Sequence, residues 1–288
     1  MDRLSNRLLD QPMSLLVTGA TGKSGKRVVQ HLRAKGIAVR AAARPVFDWT
    51  DEGTWDAALE GVRAVYVVQL DGTMLVRPFL ERAAQHGVRR IVLASGRGLD
   101  DPDYAEDTAG VRPGLVDSEA ATRASGLEWT ITRPGWFAQN FSEGFFAEGI
   151  RAGELRLPGG SAAATFVDAE DIAAVVAAAL TEDGHSGQVY ELSGPHPVTL
   201  AEAVATISEA AGREIRYVPL SPEQYVAELV QQGTSPTDAQ AFADLFAAIR
   251  EGKDAHVSDG VRQALGRPPR TFAEFAHATA AEGGWSTG

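Results

Sequence analysis

Residues 15–25 read LLVTGATGKSG: four apolar or β-branched residues, then glycines at 19, 22 and 25. A short apolar run bounded by turn residues is how a strand covered on both faces presents itself. Gly19, Gly22 and Gly25 follow at the spacing G-x-x-G-x-x-G. Glycine tolerates positive φ and lets a ligand or another backbone segment come close, which suits a tight strand-to-helix turn. A helix entered there without a side-chain cap keeps free N–H groups, and these, with the helix dipole, attract a pyrophosphate. Gly19, Thr21, Gly22, Lys23, Ser24 and Gly25 are therefore candidate dinucleotide contacts. A plain turn is the alternative for a bare glycine pattern. The position between a first buried strand and an uncapped helix favours the dinucleotide.

Working outward, strand-like and helix-like segments alternate. A helix is expected from about Gly25 to Lys35, closed by Gly36, then AVRAAA (38–43), the helical EGTWDAALEG and AVYVVQ (64–69). LVRPFLERAAQHG reads as a helix, RIVLASG (90–96) as a strand, residues 115–124 as a helix and EWTITRPG (128–135) as a strand. Such alternation predicts an α/β fold, a doubly wound Rossmann-like parallel sheet. Between Ala43 and Asp48 stand only RPVF, too few residues for a parallel crossover, so the third strand should be missing or reduced. Further on, Thr199 and Glu202 form a capping box, and residues 221–281 read as almost wholly helical. The expected division is an N-terminal extension (1–13), a nucleotide-binding core (14–140) and a smaller, mainly helical substrate lobe (141–288) that is not an independent domain.

The second strand selects the dinucleotide. An NAD site places an acid about 20 residues past the fingerprint to hold the ribose 2′-hydroxyl. Here the chain reads RAAARP, and Arg44 offers a charge-assisted partner for a 2′-phosphate, with Lys23 as a second cation. NADP(H) is the expected cofactor. Arg44 as a solvated surface charge is the competing reading. Asp48 is placed to meet the adenine amino group or to cap the following helix.

Composition removes other classes. The net charge of −11 argues against nucleic acid and anionic membrane as partners. Without cysteine there is no disulfide, thiolate metal site or thiol nucleophile. The apolar run IAAVVAAAL is far below the about 20 residues a span needs. Neither H-E-x-x-H nor G-x-S-x-G occurs, so no metal site or hydrolase elbow is expected. A cytoplasmic monomer or homodimer is expected.

The segments TGATGKSG, FDWTDEGTW, VYVV, VRRIVLAS, SGLEWTITRPGWFAQNFSE and FVDAEDIA resemble the NmrA-like branch of atypical short-chain dehydrogenase/reductases, over residues 14–281. Within it they look most like the agroclavine-dehydrogenase-type reductases of ergot alkaloid biosynthesis and their bacterial relatives, then quinone reductases. The resemblance implies that Ser95 ends the strand beside the nicotinamide, with Pro134, Gly135, Trp136 and Phe137 on its other side. It also places Gln69, with Leu70, by the cofactor ribose. The wider superfamily carries Tyr-x-x-x-Lys as its proton donor. Those positions fall here on Val111 and Leu115, and none of the five tyrosines has a lysine four residues on. An iminium carbon needs no donor at oxygen, and an enone or quinone takes its proton from water, whereas a simple ketone needs a positioned acid. The expected activity is NADPH-dependent reduction of an imine, iminium or conjugated carbonyl, in secondary metabolism. Alternatives are a non-catalytic NADP(H)-binding sensor and a non-redox isomerase or cyclase. Glu119 and Ser95 are the remaining weak catalytic candidates, with a structural carboxylate favoured for Glu119. Asp168 and Asp171 read as cap and packing residues. Five aromatics in eleven residues (Trp136, Phe137, Phe141, Phe145, Phe146), with Asn140, suggest a pocket wall for a small conjugated or cationic substrate.

Overall fold

The computed structural model describes residues 14–104 and 110–286. The expected N-terminal extension, 1–13, lies outside them. The main sheet is built from β1 (Ser14–Val17), β2 (Ala38–Ala41), β3 (Val62–Val67), β4 (Arg90–Ala94) and β5 (Glu128–Pro134), joined at one edge by a later strand. Along the sheet β2, β1, β3, β4 and β5 are neighbours in that order, and each pair is parallel. The order reverses direction between β1 and β3, the switch point of a Rossmann-like sheet.

Between these strands run α1 (Lys23–Ala34), α2 (Trp55–Leu59), α3 (Val76–Gln85) and α4 (Arg112–Ala124). Helix α3 buries Val76, Phe79, Leu80 and Ala83, the i, i+3, i+4, i+7 stripe of a core-facing helix. Helix α1 begins at Lys23, two residues before the expected start, and Gly36 closes it with φ of 74°.

As expected from the short gap after residue 43, β2 is the edge of the sheet, and residues 45–60 contribute only an isolated bridge between Asp48 and Asp51. The space is filled by aromatic rings instead. Phe47, Trp49, Trp55 and Phe79 meet edge to face at centroid separations of 5.0–6.1 Å. The Trp49 indole donates to the Val68 carbonyl at 3.0 Å and the Trp55 indole to that of Asp48 at 3.1 Å. Both ring nitrogens are thereby satisfied inside an apolar cluster.

Later elements are β6 (Trp136–Phe137), α5 (Asn140–Glu143), α6 (Ala147–Ala152), β7 (Glu154–Leu157), β8 (Ala163–Ala164), β9 (Phe166–Val167), α7 (Ala169–Thr181) and β10 (Gln188–Leu192), the sixth strand of the main sheet. They are followed by β11 (Val198–Thr199), α8 (Leu200–Ala211), β12 (Arg216–Pro219), α9 (Pro222–Gln231), α10 (Pro236–Asp244), α11 (Ala247–Arg250), α12 (Gly260–Leu265) and α13 (Phe272–Ala281). Strand β6 pairs with β9, β7 with β12 and β8 with β11. The expected capping box of Thr199 and Glu202 starts α8, and Ser221 with Gln224 and Thr271 with Glu274 repeat it on α9 and α13.

The described residues pack into two compact units: 14–95, 114–132 and 173–189, and then 96–104, 110–113, 133–172 and 190–286. Each has its own core. The first is centred on Leu16, Val65, Phe79, Ile91, Leu93 and Ile131. The second gathers Phe141, Phe146, Phe166, Ile207, Phe246, Phe272 and Trp285. The chain passes between the units several times. No helix among the described residues is long and apolar enough to cross a membrane.

Candidate functional site

The glycine turn is fixed by contacts only glycine permits. Thr18, fully buried at the end of β1, donates its hydroxyl toward the Tyr66 and Val68 carbonyls and accepts from the Val68 N–H at 2.7 Å. Gly19 then turns with φ of 61°, and a Cβ there would lie 2.9 Å from that of Val68. The Gly22 N–H donates to the Gly19 carbonyl at 2.9 Å. A Cβ on Gly25 would stand 2.2 Å from the same oxygen, so α1 crosses directly over the turn. Gly22 occupies the N-cap without a side-chain hydrogen bond, and the first turn of α1 has no acid. A bare, uncapped helix start behind a turn stripped of Cβ atoms fits a pyrophosphate. Ser24 is buried and accepts from the Tyr66 hydroxyl at 3.2 Å, while burial pushes the Tyr66 phenol up to about 12. Thr21 is exposed and Lys23 half-buried.

Past β2, Arg44 is exposed. Asp48 is half-buried and its Oδ1 accepts from the Thr50 N–H at 2.9 Å and the Thr50 hydroxyl at 2.8 Å. These bonds, with a weaker contribution from the Arg44 charge, hold its carboxyl below the usual range. The helix cap, the alternative reading for Asp48, is made by Asp51, which accepts from the Gly53 N–H at 3.0 Å ahead of the short 3-10 turn Glu52–Thr54.

Beyond β3, the Ser118 hydroxyl on α4 donates to Gln69 Oε1, while Gln69 Nε2 is buried with no hydrogen-bond partner among the described residues. An orphaned donor at a strand's carboxyl end fits a ribose hydroxyl. Beyond β4, the Ser95 hydroxyl donates to Glu119 Oε1 at 2.7 Å, and Arg123 Nη1 donates to Glu119 Oε2 at 2.7 Å. Glu119 is 3% exposed, so the two residues the sequence could only name as candidates are in contact. Val111, just before α4, and Leu115, in its first turn, where the superfamily's tyrosine and lysine would stand, are both half-buried.

In the second unit a hollow of about 260 Å³ is lined by Arg97, Tyr104, Pro134, Gly135, Trp136, Phe137 and Asn140. Gly135 donates its N–H to the Leu192 carbonyl at 2.9 Å, and a Cβ there would meet the Arg97 guanidinium carbon at 3.2 Å. Arg97 pairs with Glu191 at 2.9 Å and donates to the Thr165 hydroxyl at 3.0 Å. Asp254, wholly buried, accepts from the Trp136 indole at 2.9 Å and from the Tyr104 hydroxyl. Burial first, then the Asp254 charge, pushes the Tyr104 phenol far up. Sequence reasoning missed Arg97, Tyr104 and Asp254. Tyr104 and Asp254 lie 150 residues apart, and no local pattern joins them.

The aromatic stretch divides. Trp136, Phe137 and Asn140 line the hollow. Phe141 does not form a wall as expected: it is fully buried, edge to face with Phe146, Phe166 and Phe272. Phe145 is 69% exposed, with Phe242 6.2 Å away. Asp168 caps α7, accepting from the Glu170 N–H at 2.9 Å and the Gln139 amide at 2.7 Å. Asp171 accepts from the Arg270 N–H and pairs with Arg267 at 2.7 Å. Both are packing residues. Among the described residues no group of three or more His, Cys, Asp or Glu could hold a metal ion.

A reductase of Streptomyces griseus that acts on a (4-alkanoyl-5-oxo-2,5-dihydrofuran-3-yl)methyl phosphate is 37% identical over 93% of this chain and 100% of its own. The NAD(P)H azoreductase of Xenophilus azovorans is 34% identical over 93% of this chain and 98% of its own. The agroclavine dehydrogenase of Claviceps fusiformis is 27% identical over 91% and 96%. The ergot-alkaloid enzymes are therefore more distant than the sequence motifs suggested, and the azoreductase and the dihydrofuran reductase stand nearer. An NADPH-dependent quinone oxidoreductase of Escherichia coli, solved with NADPH, superimposes with a TM-score of 0.73 at 25% identity, over 92% of this chain and 99% of that one. A mutant NmrA shares the fold with a TM-score of 0.72 at 17% identity, over 95% and 97%. A family model described as NAD(P)H-binding matches residues 19–183, a span that begins on the glycine turn itself. The chain belongs to that NAD(P)H-binding family of Rossmann-fold oxidoreductases.

Proposed function

We propose that the protein is an NADPH-dependent reductase of a small conjugated carbonyl, an enone or quinone, or of an imine or iminium. The observation that carries this reading is the coexistence of an intact pyrophosphate cradle with Val111 and Leu115 at the positions of the usual proton donor. NADPH, when bound, supplies the hydride. The α1 N–H groups hold its pyrophosphate, and Arg44, exposed past the end of β2, offers its guanidinium to the 2′-phosphate. Gln69 Nε2 supplies a hydrogen-bond donor at the end of β3. In the second unit Trp136 and Phe137 give the hollow apolar lining for a small conjugated substrate, beside Asn140.

Reduction of an enone moves hydride to the β-carbon, and water protonates the resulting enolate at the α-carbon. An iminium is neutralised by the hydride alone. Neither step needs an acidic side chain. The names of the relatives point the same way: an azo compound, a quinone and an oxo-dihydrofuran are all conjugated acceptors.

The experiment is NADPH oxidation with 2-cyclohexenone and 1,4-naphthoquinone against acetophenone, followed by the enone with 4-deuterated NADPH. The expected result is turnover of the first two, none of the ketone, and deuterium at the β-carbon of the saturated product. Tight NADPH binding with no oxidation by either acceptor would leave a nucleotide-binding regulator. Turnover that persists in nucleotide-stripped protein, with unlabelled product, would leave an isomerase or cyclase.

A further inference from the structure

We infer that Arg97 donates a hydrogen bond to the carbonyl oxygen of the substrate, so that the hollow it lines takes a conjugated carbonyl rather than an iminium. The inference rests on the reductase reading above and narrows it. Arg97 borders the hollow with its side chain only 5% exposed. A guanidinium stays protonated inside proteins, so all five of its N–H groups seek acceptors. Nη1 is served: it donates to the Thr165 hydroxyl at 3.0 Å, and Thr165 is itself wholly buried. Nε stands 2.9 Å from Glu191 Oε1, off the line of a hydrogen bond. Nη2 is buried with no acceptor among the described residues. A charged donor in that position is costly unless a ligand or an ordered water supplies the acceptor. Gly135 keeps one face of the guanidinium clear, since a Cβ there would stand 3.2 Å from Cζ, 3.3 Å from Nη1 and 3.4 Å from Nε.

The partner of Nη2 must be an acceptor. A carbonyl or quinone oxygen brings two lone pairs, whereas an iminium nitrogen has none free. The Thr165 bond fixes one end of the side chain, and the Arg97 N–H, which donates to the Pro134 carbonyl at 3.3 Å, fixes the other. A donor held in place before the substrate arrives counts most where charge develops during the reaction. When an enone takes hydride at its β-carbon, the C=C pair shifts to the bond between the α-carbon and the carbonyl carbon. The carbonyl pair moves onto oxygen, the hydride's two electrons coming from NADPH, which is oxidised to NADP⁺. The oxygen then carries a negative charge, and its bond to the guanidinium becomes one between ions. Arg97 keeps its protons throughout, and water protonates the α-carbon. Arg97 is thus a catalytic residue that holds the reacting oxygen without acting as an acid, which suits a site with Val111 and Leu115 at the usual donor positions.

The test compares two neutral bicycles of one shape on the NADP⁺-loaded protein: α-tetralone, with a carbonyl oxygen, and 1-methylenetetralin, with a CH₂ group in its place. Binding is read by calorimetry, independent of turnover. The methylene compound is the more apolar, so without a donor in the hollow it binds at least as well. A hydrogen bond from a charged donor corresponds to roughly a ten- to hundredfold preference, and wild type should favour α-tetralone by about that factor. A wild-type ratio of one or below overturns the inference without any variant. In Arg97→Met the preference should disappear, and kcat/KM for 1,4-naphthoquinone should fall by a similar factor. The 1-methylquinolinium cation, flat and conjugated but without an acceptor, should bind Arg97→Met no more weakly than wild type. Equal losses for α-tetralone and the quinolinium would mark a structural role and overturn the inference, as would an unchanged tetralone ratio. Wild type that shows the preference yet oxidises NADPH with neither 1,4-naphthoquinone nor 2-cyclohexenone would overturn the reductase reading instead.

Discussion

Gly25→Ala puts the steric argument for the cradle to its most direct test. The new methyl carbon would stand 2.2 Å from the Gly19 carbonyl oxygen, 2.8 Å from its carbon and 3.0 Å from the Ala20 Cα. All three are backbone atoms, so no rotamer change relieves the contact. Restoring van der Waals separation requires the turn and the start of α1 to part by about 1 Å. Forced contacts of this kind cost about 1–3 kcal/mol of stability, offset by the about 1 kcal/mol that alanine gains over glycine inside a helix. The protein should therefore stay folded, with a melting temperature lowered by a few degrees at most. Binding suffers more. A displacement of about 1 Å takes N–H···O distances from about 2.9 Å to beyond hydrogen-bonding range. Two charge-assisted bonds at about 1.5–3 kcal/mol each then weaken NADPH by roughly 10²–10⁴-fold. Calorimetric titration with NADPH reads this, with a thermal melt as the folding control. Gly22→Ala, whose Cβ would be 3.2 Å from the same oxygen, should fall between wild type and Gly25→Ala. A folded Gly25→Ala that binds NADPH within threefold of wild type would refute the cradle.

Arg44→Ala should weaken NADPH about tenfold, about 1.4 kcal/mol, and leave NADH unchanged; equal losses for the two nucleotides in parallel titrations would show that Arg44 does not read the 2′-phosphate. Tyr66 has its folded pKa raised to about 12 by burial, so its contribution is complete below the unfolded value near 10 and is lost as pH rises through 12. Wild type should accordingly lose about 1 kcal/mol more stability than Tyr66→Phe between pH 9 and 11, measured by denaturant titration. Tyr104→Phe removes one of the two side-chain donors on the buried Asp254 carboxylate and should cost about 1–3 kcal/mol in the same assay; no change would mean that solvent reaches Asp254.

What the sequence discloses is what local periodicity controls. The apolar runs, the helix stripes and the four-residue gap after Ala43 each constrain neighbours in the chain, and the sheet order with β2 at its edge follows from them. The tight glycine turn was legible for the same reason, since its three glycines lie within seven residues. The aromatic stretch after Pro134 was not. Phe141 and Phe145 are four apart, which on one helix would share a face. Helix α5 ends at Glu143, however, and Gly144 leaves helical geometry with φ of −137° and ψ of −152°. One ring enters the core and the other faces outward. The Ser95–Glu119 contact joins a strand end to a helix 24 residues on, and it needed the register of β4 against α4, which only packing supplies. The polar lining of the hollow joins Arg97 and Tyr104 to Asp254 across about half the chain.

The repeated passage of the chain between the two units also has a consequence for biosynthesis. Every described segment of the first unit has been translated by Val189, whereas the second unit still awaits everything from Tyr190 onward. Its core is sealed late: the Trp285 ring packs against Phe275, and its indole donates to the Phe141 carbonyl at 2.9 Å. A ribosome-bound chain can thus complete its glycine turn before Phe246 and Phe272, the later ring partners of Phe146 and Phe141, have been made. NADPH captured at that stage would stabilise the half already made by mass action. The unpacked aromatic segment would meanwhile be the part most in need of a chaperone.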